Sequence, residues 1–166
     1  MCSGNGSNFE NIHHACPKHD IVIMVYNKKK AKAKRRADRL DIPSCYSKDE
    51  DEIIALFNAY EVDMIVMAGW VRIISKKFCD EFAGRIINLH PSLLPKYKGL
   101  HAVEQALKAG EDETGCTVHF VNEYLDSGAI IKQQVVPILP GDNVESLTRA
   151  IQQAEHSLLP SVINAF

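Results

Sequence analysis

No stretch of this sequence is long and apolar enough to span a bilayer as a helix, so no membrane partner is expected. Basic residues are not in excess. The formal charge is -2, whereas a nucleic-acid binder carries a positive balance, so no nucleic-acid partner is expected either. Disulfide spacing is missing: Cys2, Cys16, Cys45, Cys79 and Cys116 are odd in number and no two form a CxxC. They read as reduced thiols and predict a cytoplasmic protein. The start, Met1 to Gly6, lacks the basic and apolar regions of a signal peptide. The histidines are scattered without the cysteine or carboxylate spacing of a metal centre, so no metal is expected. Neither a Walker sequence nor a G-x-S-x-G elbow is present, and Ser92 stands only two residues from His90, too close for a nucleophilic triad.

What is present is an alternation of buried-strand and helix patterns. The 166 residues suit one domain with one substantial core. Continuous apolar runs at 21–26 and 64–67 predict strands covered on both faces. Further strands are expected at 85–90, 116–121 and 129–138. Helices are expected at 7–16, 29–40, 49–60, 76–82, 102–109 and 143–166, the last interrupted by Pro160. The class is α/β: a Rossmann-like, largely parallel sheet flanked by helices, with an antiparallel edge formed by the last two strands. One part is short. The glycine-rich turn at Ser3-Gly4-Asn5-Gly6 should follow a strand, and only Met1-Cys2 precedes it. The first strand reads as truncated.

Three segments carry candidate chemistry. Gly4-Asn5-Gly6-Ser7-Asn8 opens a helix, where glycines allow close approach and free amides favour an anion. Phe9 stands where a dinucleotide fingerprint wants a small residue, and Asn27 where it wants an acid, so a single phosphate or a plain capped turn are the two readings. In Asn88-Leu89-His90-Pro91, residues two apart share a strand face, and Pro91 puts Asn88 and His90 at the strand's C-terminal end. An amide donor beside an imidazole can clamp an oxyanion. Thr117 and His119 share a face of a later strand, with His119 read as structural. Asp126, in a Leu-Asp-Ser-Gly turn, can orient a histidine or simply bond its own backbone.

Taken together, Ser3–Asn8, Met67-Ala68-Gly69-Trp70-Val71-Arg72-Ile73, Asn88–Pro95 running on to His101, and His119 through Gly128 resemble the phosphoribosylglycinamide formyltransferases, within the folate-dependent formyltransferase superfamily. The likeness covers nearly the whole chain in order and implies one formyltransferase domain over 1–166. It implies transfer of a formyl group from 10-formyltetrahydrofolate, a co-substrate, to the amine of glycinamide ribonucleotide in purine biosynthesis, by a monomer or homodimer. It also implies roles. Asn88, His90 and Asp126 match the catalytic set. Gly4, Asn5, Gly6, Ser7 and Asn8 match the phosphate turn, and Glu155 matches an acid on the acceptor side. Met67, Ala68, Gly69, Arg72, Ile73, Ile74 and Val121 match the folate pocket. Thr117 stands where the family usually has Ser, and Ser127 where Gly is common. Lys48 lies in the region where the family often has an Arg reaching the phosphate. A formyltetrahydrofolate hydrolase and an inactive folate-binding remnant are the alternatives.

Overall fold

A computed structural model describes all residues, Met1–Phe166. The chain runs α1 (Ser7–Ala15), β1 (Met24–Tyr26), α2 (Ala33–Arg39), β2 (Ser44–Tyr46), α3 (Glu50–Ala59), β3 (Ile65–Ala68), α4 (Lys76–Glu81), β4 (Ile86–His90), α5 (Ala102–Ala109), β5 (Glu113–Phe120), β6 (Ile130–Pro137) and α6 (Val144–Ile163). The α/β alternation is as expected, and the sheet is mixed. β1 pairs with β2 and β3 with β4 in parallel, while β4–β5 and β5–β6 are antiparallel. The antiparallel part thus reaches one strand further inward than an edge pair alone. No helix is long and apolar enough to cross a membrane.

β1 and β2 form a two-stranded sheet separate from the four-stranded β3-β4-β5-β6. A single bridge, Cys2 to Tyr26, marks what stands between them. The apolar run from Ile21 is extended over only Met24–Tyr26, because Ile21–Ile23 have no strand beside them on the inner side. β2, a short Ser-Cys-Tyr segment after Pro43, carried too little pattern to be expected.

α6 buries Leu147, Ile151, Leu158 and Leu159 against the four-stranded sheet, in a core that includes Ile87, Leu89 and Val118. With Ala154 between them, positions 147, 151, 154 and 158 fall three or four apart on one stripe, and Leu159 lies beside it. A second core lies on α3, α4 and β3, where Phe57, Phe78 and Phe82 meet edge to face or tilted. Pro160 does not interrupt α6, which continues to Ile163. A proline lacks the N–H that would bond the carbonyl four residues back. Here that carbonyl, of His156, accepts instead from Asn11 Nδ2 at 2.8 Å. A side chain of α1 therefore satisfies the group that Pro160 leaves free.

Candidate active site

Asn88 and His90 lie two residues apart at the C-terminal end of β4, so their side chains leave the same face. Opposite them in the antiparallel register stand His119 and Thr117 of β5. Asp126, held in the left-handed region at φ 45°, turns its carboxylate into this group. One oxygen, Oδ2, accepts from Gly99 N at 2.8 Å and lies 3.4 Å from His90 Nδ1. The other, Oδ1, lies 3.4 Å from Asn88 Nδ2 and 3.6 Å from His119 Nε2. Burial pushes the Asp126 carboxyl up, but the neighbouring His119 ring, the Gly99 N–H and the His90 imidazole outweigh it. The net position is below the usual carboxylate range.

Both nitrogens of His90 face acceptors. Nε2 lies 2.8 Å from Tyr97 O, and Nδ1 faces Asp126. A ring with a proton on each nitrogen satisfies both. His119 Nδ1 donates to Phe120 O at 2.7 Å, which leaves Nε2 to accept from Asn88 Nδ2 at 3.2 Å. Both N–H groups of Asn88 are then used, toward His119 and Asp126. Its Oδ1 makes no bond within the chain and is open to solvent.

The loop that carries Tyr97 is anchored by Thr117. Its hydroxyl donates to Ser92 O at 2.7 Å and accepts from Leu94 N at 3.1 Å. Ser92, fully buried, donates to Lys96 O at 2.6 Å and so serves the loop rather than acting as a nucleophile. Beside Asn88, His119 and Asp126 lies a cleft lined by Met67, Trp70, Arg72, Ile73, Ile74, Val121, Tyr124 and Leu125. Ile73, Tyr124 and Leu125 are 68%, 66% and 48% exposed, apolar surface left open on its rim. The indole N–H of Trp70 is buried there without a partner.

The glycine-rich turn lies on the other side of β3. Gly6 caps α1 at φ 75°, and a Cβ there would stand 2.7 Å from that of Ala33, so the turn and α2 meet only through a glycine. Arg36 of α2 donates through Nε to Asn5 O at 2.9 Å and pairs with Glu10. Ser3 N donates to Gly69 O at 2.9 Å, and Ser3 Oγ accepts from Val71 N at 3.0 Å. The turn is thereby tied to the end of β3. Asn8 Nδ2 donates to Glu155 Oε2 at 2.9 Å, and burial raises the Glu155 carboxyl.

The formyl transferase family model matches residues 1–163. The chain belongs to the formyl transferase family. A phosphoribosylglycinamide formyltransferase of Haemophilus influenzae is 40% identical over all of this chain and 84% of that protein. The trifunctional purine biosynthetic protein adenosine-3 of Drosophila melanogaster is 43% identical over 98% of this chain, which spans only 13% of that longer protein. The crystal structure of phosphoribosylglycinamide formyltransferase from Anaplasma phagocytophilum superposes with a TM-score of 0.95, at 38% identity, over 98% of this chain and 82% of that one.

Set against the residues expected of a formyl transferase, the structure brings Asn88, His90 and Asp126 together. It places Met67, Arg72, Ile73, Ile74 and Val121 along one cleft beside them. Ala68 and Gly69 do not line that cleft. Ala68 faces a separate cavity, and Gly69 ties down the turn. Ser7 and Asn8 do not cap α1 through their side chains; Asn8 serves Glu155 instead. Lys48 is exposed and makes no side-chain bond, and it is Arg36 of α2 that reaches the turn. His119 is not merely structural, since it fixes the amide of Asn88. Its signal was the shared face with Thr117, but pairing with β4 could not be read from one strand.

Proposed function

We propose that this chain transfers the formyl group of 10-formyltetrahydrofolate to the amine of glycinamide ribonucleotide, a step of purine biosynthesis. The observation that carries the reading is the convergence of Asn88, His90 and Asp126 between an apolar cleft and a glycine-rich turn. The cleft lined by Met67, Arg72, Ile73, Ile74 and Val121 takes the folate, with Trp70, Tyr124 and Leu125 added to the walls. Gly4 to Asn8, with the first-turn amides of α1, take the acceptor's phosphate. Glu155 stands on the acceptor side. We read the sheet as Rossmann-like, with both ligands at the C-terminal ends of its strands.

The acceptor amine arrives neutral and attacks the formyl carbon, and charge builds on the formyl oxygen. The open Oδ1 of Asn88 accepts from that amine and aims its lone pair, because His119 and Asp126 already hold the amide N–H groups. This task is the opposite of the oxyanion donor expected of Asn88 from its place beside His90 on one strand face. A doubly protonated His90 supplies the positive charge beside the oxyanion, with Asp126 as its counter-ion. As the tetrahedral species collapses, the amine's proton leaves through this pair to the folate nitrogen. Single-turnover assays of Asn88→Ala and His90→Ala test this. Each should lose on the order of 10²–10³ in rate while the melting temperature holds. Near-normal turnover in either would remove that residue from the chemistry.

A further inference from the structure

The basic side chains are spread unevenly. Residues 28–39 hold eight of the 19 Lys and Arg and one of the 21 Asp and Glu, so this segment carries +7 and the remainder of the chain -9. Three of the eight are paired: Lys34 with Asp38, and Arg36 and Arg39 with Glu10. The other five, Lys28, Lys29, Lys30, Lys32 and Arg35, are exposed and have no carboxylate partner. Elsewhere Lys76, Lys77, Lys96 and Arg149 each face a carboxylate, so the lack of partners belongs to this segment. Four of the five precede α2, so they are not the solvated face of a helix. Like charges this close repel one another and weaken the fold.

The segment is tied to the glycine-rich turn at both ends. The parallel bridge from Cys2 to Tyr26 places Asn27 beside Ser3 in register. Ala33 N donates to Gly4 O at 3.2 Å, and Ala33 is the residue that meets Gly6. Lys30 stands three residues from each tether, and at about 3.3–3.6 Å per residue no Cα between them lies more than about 11 Å from one. That is close to the distance over which charges act in physiological salt, about 8–10 Å. Residues 28–30 and 4–6 also leave the same edge of the sheet, because the strands before them run parallel.

We propose that residues 28–35 are a capture surface for the acceptor's phosphate, which draws a doubly charged phosphate ester to the rim before it seats on the turn. The inference deepens the formyl-transfer reading and rests on it for the phosphate at Gly4–Asn8. Acids dominate the rest of the surface and repel the same anion, so the field leads to this one edge. A nucleic-acid strand fits less well, since its further phosphates would run from the rim onto acidic surface.

The test follows association of glycinamide ribonucleotide with the whole chain by stopped flow, at about 20 and about 300 mM NaCl, on either side of physiological screening. The parent's rate should fall about tenfold or more across that range. The combined variant Lys28→Gln, Lys30→Gln, Lys32→Gln, Arg35→Gln should associate about tenfold more slowly at low salt and respond less than about threefold to salt, with kcat unchanged. The charge-keeping set Lys28→Arg, Lys30→Arg, Lys32→Arg, Arg35→Lys should match the parent, which a role in packing would not allow. Glycinamide riboside, which lacks the phosphate, should bind all three forms alike. Equal association of parent and Gln variant at low salt overturns the proposal, as does the same loss with the riboside. If the Gln variant does not fold, equal salt slopes for ribonucleotide and riboside on the parent overturn it. An oligothymidylate that displaces the ribonucleotide at equal or lower concentration marks the rim as a nucleic-acid surface and also overturns it. Formylated acceptor made without any effect of salt or rim charge removes the capture surface and leaves the formyl-transfer reading intact. The expected salt pattern without formylated acceptor upholds the capture surface and removes that reading.

Discussion

The Asp126 carboxylate lies 3.4 Å from Nδ1 of His90, and the two side chains are only 7% and 6% exposed. Nothing in the sequence between them forces this. Gly99 N holds one Asp126 oxygen, while Asn88 and His119 face the other, so the carboxylate is a hub for the whole cluster.

Asp126→Asn should therefore lower kcat on the order of 10²–10³ at neutral pH while leaving acceptor KM within a few-fold. Because the folded carboxyl lies below its ordinary value, its ionised form stabilises the fold. That contribution is present above the unfolded value and is lost as pH falls through the folded one. Denaturation of parent and variant between pH 2 and 7 checks this: the stability gap should be widest at neutral pH and close on acidification. A gap that grows toward acid would contradict the assignment.

Glu155 behaves in the opposite sense. Burial raises its folded value, so the charged form costs stability. The neutral form's advantage is present below the unfolded value of the carboxyl and is lost as pH rises through the folded one. Glu155→Gln should match the parent in acid and become relatively more stable above the ordinary carboxylate range, because Gln keeps an oxygen for Asn8 Nδ2. Melting curves from pH 4 to 8 would show it. A parent more stable than the variant at pH 8 would mean that an unrecognised cation pairs with Glu155.

Much of the site was legible because it is local. Asn88 and His90 are two apart on a strand stopped by a proline, and Gly4–Gly6 announce a turn before a helix. What could not be read was pairing across distance. His119 meets Asn88 only through the β4–β5 register, and Arg36 reaches Asn5 only because α2 packs on the turn at Gly6. Pro160 misled for the same reason. Its effect on α6 is cancelled by Asn11, 149 residues earlier, which no local pattern of the last helix contains.

Asn11→Ala tests that repair. It leaves the His156 carbonyl without its partner, which should cost about 1–3 kcal/mol. Urea denaturation should show a lower midpoint with an unchanged slope. A midpoint equal to the parent's would mean that solvent serves the carbonyl equally well.

The central claim is that Asn88, His90 and Asp126 move a formyl group onto an amine and not onto water. Incubating the chain with 10-formyltetrahydrofolate, with and without glycinamide ribonucleotide, and measuring both formylated acceptor and free formate decides it. The account predicts acceptor-dependent folate release with one formylated acceptor per folate. Formate at the same rate without acceptor, or no release under either condition, would contradict it.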